Sequence, residues 1–243
     1  MHVPTRSDAP ALPTRPAPAL GWRATAVLCA LFLALTVLVV RDWGPLVSLD
    51  RRVADGLHPI AVGHHGWTGF VRWLSERLWD PWTMRAVLAV AALWLARRRA
   101  WLLIAWIAGT SAAGTLVQQA LKSAVGRDRP HWPDPVAVAS YQAFPSGHAL
   151  TATVTCGLVV WLLWLHHVRP AGIRAALAVG ALSVTGVGFT RLYLGVHWLS
   201  DVVGGWLLGA ALVAGAVWAY DAVTAGRGTG AGAGREDART DRK

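Results

Sequence analysis

Three short blocks of this 243-residue chain bring together cationic, imidazole and carboxylate side chains at fixed spacing. The blocks are Lys122-x6-Arg129-Pro130, Pro145-Ser146-Gly147-His148 and Arg191-x5-His197-x3-Asp201. A set of this kind can supply a nucleophile, a proton donor, an orienting carboxylate and a group of cations. These are the parts that phosphoryl transfer needs when no metal ion takes part. The three blocks together therefore indicate phosphoryl-transfer chemistry, which no single block indicates alone.

The third block predicts a nucleophile. His197 and Asp201 are four residues apart, so both side chains lie on one face of a helix. An imidazole that attacks phosphorus needs one neutral ring nitrogen aimed at the reacting atom. A carboxylate on the other nitrogen fixes that tautomer and stabilises the cation that forms. Taken alone, the pair also fits a His–Asp contact with only a local role, but Arg191 and the other two blocks favour the catalytic interpretation.

The second block predicts an anion site at a helix start. Pro145 favours the beginning of a helix, while Ser146 and Gly147 leave backbone N–H groups open to phosphate oxygens. The positive end of the helix dipole would face the same oxygens. His148 would then protonate the leaving group. Without the other blocks, the tetrapeptide indicates only a capped helix.

Three cations complete the predicted site. Lys122, Arg129 and Arg191 would surround the phosphoryl group, whose transition state spreads negative charge over three oxygens. Arginine supplies a bidentate fork, and lysine supplies a point charge. Each of them alone could be an ordinary cation at a membrane interface, so the interpretation depends on their occurring beside two histidines.

The composition is that of an integral membrane protein. The chain is 54% hydrophobic and 15% charged, with a mean hydropathy of +0.41, whereas soluble domains carry about 25% charged residues. Six segments are predicted to span the membrane: 24–40, 82–96, 100–121, 147–165, 175–189 and 202–220. The second and the fifth are short for a span. The predicted fold is therefore all-α, a bundle of six transmembrane helices.

The membrane-embedded domain is predicted over 22–220, between disordered tails at 1–21 and 221–243. Between the first two spans, five apolar residues recur at helical spacing: Trp67, Phe70, Val71, Leu74 and Leu78. This pattern predicts an amphipathic helix, either in the extracytoplasmic membrane interface or packed on the bundle. Gly205-x3-Gly209 in the sixth span predicts close helix packing, more readily within the bundle than in a dimer.

Arginines in two short loops orient the predicted bundle. Arg97-Arg98-Arg99 joins the second and third spans, and Arg169 and Arg174 lie between the fourth and fifth. By the positive-inside rule these loops face the cytoplasm, and with six spans both termini share that side. We therefore predict a multi-pass plasma-membrane protein whose three blocks face the extracytoplasmic side. The cations punctuate apolar spans instead of forming a stripe, so the net charge of +10 does not indicate nucleic-acid binding.

The three blocks resemble the phosphatase signature of the type 2 phosphatidic acid phosphatase superfamily, also called the lipid phosphate phosphatases. The first two blocks match in full, and the third departs only at Thr190, where the family usually has serine. With the span layout, the resemblance covers about 24–220 and implies a core like that of the vanadium haloperoxidases. It implies His197 as the nucleophile that forms a phosphohistidine, His148 as the general acid and Asp201 as the partner of His197. It also implies a set of phosphate-binding residues: Lys122, Arg129, Ser146, Gly147 and Arg191.

By this resemblance we expect hydrolysis of a lipid phosphomonoester or diphosphate without a metal or cofactor. The expected partners are membrane lipids and a phosphorylated lipid substrate: undecaprenyl diphosphate, slightly preferred, phosphatidic acid or phosphatidylglycerophosphate. A lipid phosphotransferase with the same intermediate is an alternative, as is a non-catalytic transporter or scaffold, which would leave the histidines unexplained. His58, His64 and His65 have no acidic or cysteine partner at ligand spacing, so we predict no metal site.

Overall fold

The structure, a computed structural model, describes residues 18–240, with side chains described over 21–225. Most of the predicted tail 1–21 lies outside the described residues, as do 241–243. The described range folds into eight α-helices and one π-helical turn and contains no strand, which confirms the predicted all-α class. In chain order the elements are α1 (Pro18–Val40), α2 (Gly44–Gly63), α3 (His65–Trp73), the π turn (Leu74–Leu78), α4 (Pro81–Arg97), α5 (Trp101–Val125), α6 (Gly147–Leu165), α7 (Pro170–Tyr193) and α8 (Leu199–Thr240).

Five of the described helices are long and apolar enough to cross a membrane, namely α1, α5, α6, α7 and the part of α8 over Leu199–Ala225. They correspond to five of the six predicted spans. Helix α7 has 24 residues and extends the short fifth prediction in both directions. Helix α4 covers the second predicted span but has only 17 residues, so the six-helix count stays a prediction. Helix α8 continues through 221–240, and the predicted disorder of that tail also stays a prediction.

Local signals end the helices near the three blocks. Gly126 adopts the left-handed conformation, with φ 64°, and its N–H donates to the Lys122 carbonyl at 3.0 Å, which ends α5. A loop then leads directly to Ser146 and the start of α6. Gly195, also at φ 64°, turns the chain between α7 and α8. A Cβ there would lie 2.6 Å from the indole nitrogen of Trp132, so this tight approach requires glycine.

Helices α6 and α8 pack closely at the centre of the bundle. Apolar side chains from five helices fill the core around them: Phe32, Leu95, Ile107, Leu158 and Leu208. Gly205 and Gly209 allow the two helices to approach. A Cβ at Gly205 would lie 2.6 Å from the Ser146 carbonyl oxygen, and one at Gly209 would lie 2.8 Å from Thr153 Cβ. The glycine pair therefore packs α8 against α6 within the bundle, as predicted.

The sequence does not predict α2. Its buried positions recur at helical spacing, but two of them are polar: Asp50, Ala54, His58 and Ala61. The charged residues Arg51 and Arg52 and the proline Pro59 hide this pattern in the sequence. Helix α3 and the π turn contain the predicted amphipathic helix. Its buried residues are Thr68, Val71 and Ser75, and its exposed apolar residues are Trp67, Phe70, Trp73 and Leu78. Its position in the membrane interface stays a prediction.

The contact between α6 and α8 can be tested with Gly205→Ala. The added methyl group would meet the Ser146 carbonyl oxygen and the Ala149 Cβ, at 2.6 and 2.9 Å. Overpacking of a core costs typically about 1–3 kcal/mol. We therefore expect a lower melting temperature for the purified variant in detergent, measured by thermal unfolding.

Gly109→Ala is the matched control for this substitution. Nothing lies within 4 Å of the Cβ position of Gly109, which is also inside a helix. Alanine is the better helix former by up to about 1 kcal/mol, so an unchanged or higher melting temperature is expected. Equal stability of the two variants would contradict the close approach of α8 to α6.

Candidate active site

The three blocks meet at one end of the bundle because each lies at a helix terminus. Lys122 is in the last turn of α5 and Arg191 in the last turn of α7, while the second block begins α6 and Asp201 lies in the first turn of α8. His148 is close enough to interact electrostatically with four other site residues: Lys122, Arg129, Arg191 and His197. The structure therefore brings together all the cations and histidines that the sequence singles out.

His197 and Asp201 form a buried pair. His197 Nδ1 lies 3.2 Å from Asp201 Oδ2, and the backbone N–H of Trp198 donates to the same oxygen at 2.9 Å. On the other side of the ring, His197 Nε2 lies 3.1 Å from Arg129 Nη1. Because a guanidinium can only donate, Nε2 must be the acceptor and Nδ1 must carry the proton. The lone pair of Nε2 therefore points toward the cationic side of the site.

His197 is held in its neutral form. Burial lowers the pKa of His197 well below its ordinary value of 6.5. The positive charges of four nearby residues lower this pKa further: Arg129, Arg191, Lys122 and Arg127. At neutral pH the imidazole is therefore uncharged, and its Nε2 lone pair, which accepts the hydrogen bond from Arg129, is the position at which an electrophile would bond.

Backbone carbonyls of two loops, one between α5 and α6 and one between α7 and α8, bind two of the cations. Lys122 Nζ donates to the Gln142 carbonyl. Arg129 donates to the Tyr141 carbonyl at 2.8 Å, to the Ser140 carbonyl at 3.1 Å and to the Val196 carbonyl at 2.6 Å. Burial lowers the pKa of Arg129, and the charge of Asp201 partly opposes that shift. Carbonyls satisfy hydrogen bonds but bring no net negative charge, so the cations keep their attraction for an anion.

Two buried polar atoms beside these cations have no hydrogen-bond partner within the described part of the chain. They are Ser146 Oγ and Arg191 Nε. Arg191 uses Nη1 to donate to Ser75 Oγ at 3.1 Å, which leaves Nε for another acceptor. Buried polar groups are normally paired, so each of these atoms can serve an oxygen of a bound ligand. A Cβ at Gly147 would lie 3.2 Å from Gln118 Nε2, so the backbone here is close to a polar side chain of α5.

Several residues of the site are missed by the sequence analysis. The structure adds four residues around Asp201 and Arg191: Asp50, Ser75, Arg127 and Ser200. Arg127 lies inside the first block, two residues before Arg129. The sequence alone does not indicate that both arginines belong to the site. Asp50 precedes Arg51 and Arg52 and therefore resembles an exposed position. Ser75 falls on the polar face of the predicted amphipathic helix. In the structure this residue lies in the π turn and is buried, which the sequence does not indicate.

His58 of α2 makes structural contacts and lies outside the three blocks. His58 stacks on Trp132, with 3.9 Å between ring centroids, and its Nε2 lies 3.0 Å from Asp134 Oδ1. This hydrogen bond lowers the pKa of Asp134. Among the described residues, no group of three or more His, Cys, Asp or Glu side chains is arranged to hold a metal ion. His58 thus fastens the loop between α5 and α6 to α2.

The protonation state of His197 gives a direct test of this geometry. We expect the imidazole of His197 to remain neutral, with the proton on Nδ1, at pH values below 6.5. The measurement is NMR of protein labelled with ¹⁵N-histidine in detergent, with the His197→Ala variant to assign the signal. Protonation of His197 at or above pH 6.5, or a proton on Nε2, would contradict the described surroundings of the ring.

Comparison with known proteins places these observations in a family. The sequence model of the PAP2 superfamily matches residues 100–225, just over half of the chain. Phosphatidylglycerophosphatase B of Bacillus subtilis is 34% identical over 123 residues, which are 47% of this chain and 56% of that protein. Undecaprenyl-diphosphatase of Sulfolobus acidocaldarius is 38% identical over 68 residues, 28% of this chain and 29% of that protein. The chain thus spans about half or less of the length of these relatives.

A solved structure shares the fold. The transmembrane PAP2-type phosphatidylglycerolphosphate phosphatase of Bacillus subtilis superposes with a TM-score of 0.55 at 22% identity, over 82% of this chain and 96% of that one. With the apolar helices, this similarity indicates a multi-pass membrane protein. The family match contains all three blocks, whose resemblance to the same superfamily is thereby confirmed. The chain belongs to the PAP2 superfamily.

Proposed function

We propose that this protein is a membrane phosphatase that hydrolyses a lipid phosphomonoester or diphosphate through a phosphohistidine at His197. The observation that carries the proposal is a neutral, buried imidazole that faces cations and unpaired donors. His197 Nε2 lies beside Arg129, with Asp201 behind the ring. Ser146 Oγ and Arg191 Nε have no partner among the described residues. An anion with several oxygens would satisfy all of these groups together.

The charge of the site supports a phosphate. Within the hydrogen-bonded site, four cations stand beside two carboxylates: Lys122, Arg127, Arg129, Arg191, Asp50 and Asp201. Glu76 and Asp80 add negative charge near Arg191 from more exposed positions, but inside the site the cations outnumber the carboxylates by two. A phosphate monoester carries about −1.5 to −2 charges at pH 7, so its binding would bring the group close to neutrality. Such preorganised cations are the main means by which enzymes stabilise a phosphoryl-transfer transition state.

In the first step, Arg129 Nη1 transfers its hydrogen bond from His197 Nε2 to a phosphate oxygen, and Nε2 forms a bond to phosphorus as the bond from phosphorus to the leaving oxygen breaks. Phosphate oxygens take the places of loop carbonyls on Lys122 and Arg129 and accept hydrogen bonds from the Ser146 hydroxyl and Arg191. The negative charge of the bound phosphate favours the protonated form of His148, which gives its proton to the leaving oxygen. Asp201 holds the Nδ1 proton and stabilises the positive charge on the phosphorylated ring.

In the second step, water attacks the phosphohistidine. His148, now neutral, takes a proton from that water as the new bond to phosphorus forms. The bond between phosphorus and Nε2 of His197 breaks, and inorganic phosphate leaves. The side chains of the site provide the nucleophile, the proton donor and the cations that these two steps need, so no metal or cofactor enters the proposed reaction.

A lipid substrate is proposed because the site lies at the ends of membrane-spanning helices. A headgroup can enter the cationic site there while its tails remain in hydrocarbon. We propose undecaprenyl diphosphate first, then phosphatidic acid or phosphatidylglycerophosphate. The names of the relatives, a phosphatidylglycerophosphatase and an undecaprenyl-diphosphatase, support this range of substrates.

We also propose that the site faces the extracytoplasmic side of the plasma membrane, with both termini in the cytoplasm. Arg97-Arg98-Arg99 precedes α5, and Lys122 lies at the opposite end of the same helix. The positive-inside rule then assigns the arginine loop to the cytoplasm and the site to the other face.

Phosphate release from a panel of lipid phosphates tests the proposed function. The purified protein in detergent should release phosphate from at least one of undecaprenyl diphosphate, phosphatidic acid and phosphatidylglycerophosphate. His197→Ala should lower turnover by up to about 10⁶-fold, the loss that follows removal of a covalent nucleophile. The matched control is His65→Ala, which removes an exposed histidine away from the blocks and should leave turnover unchanged.

Two results would overturn the proposal: no release from any lipid phosphate by the parent protein, or undiminished release by His197→Ala. Addition of a lipid acceptor separates hydrolysis from phosphotransfer. If the phosphate passes to the acceptor and not to water, the site is a phosphotransferase and hydrolysis is not its function.

A further inference from the structure

A buried hydrogen-bonded network lies behind Asp201, on the side away from His197. Arg127 is at its centre: Nη1 donates to Asp201 Oδ1 at 2.6 Å and Nη2 donates to Asp50 Oδ2 at 2.7 Å. Asp50 comes from α2, whereas Asp201 begins α8. One guanidinium therefore joins carboxylates from two helices that are far apart in the sequence.

Ser200 completes the network. Its backbone N–H donates to Asp50 Oδ1 at 2.9 Å, and its hydroxyl lies 2.5 Å from Asp50 Oδ2 and 2.7 Å from Arg127 Nη1. Asp50 thus caps the start of α8 from another helix. The relative exposure of Asp50 is 2% and that of Asp201 is 0%, so both carboxylates depend on these contacts in place of water.

The network determines how Asp201 can be oriented. Arg127 binds Oδ1, while His197 Nδ1 and the Trp198 N–H bind Oδ2. With both oxygens bound, the carboxylate cannot rotate without breaking a charge-assisted hydrogen bond. Because Asp201 in turn holds the ring of His197, the direction of the Nε2 lone pair depends on Arg127 and, through Arg127, on Asp50.

We propose that Asp50 and Arg127 are positioning residues, which fix the Asp201 carboxylate and thereby aim His197 at the substrate. This inference rests on the proposed function. Asp50 lies outside residues 100–225, the part of the chain that matches the superfamily, so this support for the site comes from the preceding helix. Helix α2 is then part of the catalytic unit.

The alternative is that the network only fastens α2 to the bundle. Removing two carboxylates and most of a guanidinium from water carries a large desolvation cost, which their mutual attraction must offset. Apolar contacts would fasten a helix without that cost. The network also ends on the carboxylate that holds His197, and the charge of Arg127 contributes to the lowered pKa of His197. A positioning role explains both features.

The test compares Arg127→Gln and Asp50→Asn with matched controls, in phosphate release by the full-length protein. Arg51→Gln and Asp55→Asn remove exposed charges from α2, next to and one turn beyond Asp50. We expect kcat to fall about 10- to 100-fold in both network variants, with KM little changed, because outer partners of catalytic groups have effects of this size. Both controls should keep the parent kcat.

The pH profile separates positioning from fastening. The titratable and charged groups around His197 come from five elements: Lys122 of α5, Arg127 and Arg129 of the loop, His148 of α6, Arg191 of α7 and Asp201 of α8. In Arg127→Gln, one of the charges that lower the pKa of His197 is gone. The acid limb of kcat/KM should therefore move to higher pH. A shifted limb with the parent kcat would mean that Arg127 acts on His197 only through its charge, which would overturn the positioning role.

Chemical rescue gives a second readout. A cavity of about 350 Å³, lined by Arg127, Asp50 and Trp198 among others, opens beside the guanidinium. Methylguanidinium at millimolar concentration should restore part of the kcat of Arg127→Ala and should not affect Arg129→Ala in the same way. Size-exclusion chromatography and the melting temperature verify that each variant is folded.

The outcomes are distinct. An active parent protein, with lowered kcat, a shifted acid limb and rescue in the Arg127 variants, supports the proposal. Folded network variants with the parent kcat and pH profile overturn it and leave the phosphatase proposal intact. A loss of melting temperature with normal kcat at low temperature also overturns it, because the network would then be structural. An inactive parent protein overturns the proposed function itself.

Discussion

Charge buried in an apolar bundle is the constraint on which the rest of this structure depends. A lone lysine, arginine or carboxylate in such surroundings would be strongly destabilising. Here Lys122, Arg191 and Asp201 are all buried, together with His197. They are tolerated because each has partners: loop carbonyls, a serine hydroxyl, or Arg127 and the His197 ring. Inside the hydrogen-bonded site the cations outnumber the carboxylates, which supports the proposed binding of an anion. Burial, reinforced by these positive charges, keeps His197 neutral.

The fold meets this constraint by placing helix ends, not helix centres, at the site. Helix ends have free N–H or C=O groups that can bind charged side chains and ligands. Gly126 ends α5 just after Lys122, and Gly205 lets α8 approach the second block. The apolar parts of α5, α6 and α8 pack in one core cluster, and α7 packs on α6 through Val187 and Ala152. A site on rigid elements keeps the distances between His197 and the surrounding cations constant, as the proposed attack on phosphorus requires. Carbonyls of the loop between α5 and α6 bind Lys122 and Arg129 at these helix ends.

The sequence predicts the parts of the protein that follow strong local rules. Apolar runs predict five of the helices that are long enough to cross a membrane, and residue spacing predicts that His197 and Asp201 pair. Family resemblance adds the remaining roles, and the family is confirmed. What the sequence does not predict depends on tertiary contact. Helix α2 escapes notice because Asp50 and His58 occupy its buried face and find partners far along the chain. Arg127 and Ser75 resemble surface residues in the sequence, whereas packing in the structure buries Ser75 and leaves Arg127 only partly exposed.

The central claim is that the three blocks form one site in which Nε2 of His197 bonds to phosphorus. The most direct measurement is rapid alkaline quenching of the protein with a ³²P-labelled phosphate ester that has a good leaving group, followed by mass spectrometry of the labelled peptide. The account predicts transient phosphate on His197, formed and lost at rates consistent with turnover. Label on another residue, or hydrolysis at the full rate with no labelled histidine at any time, would contradict it.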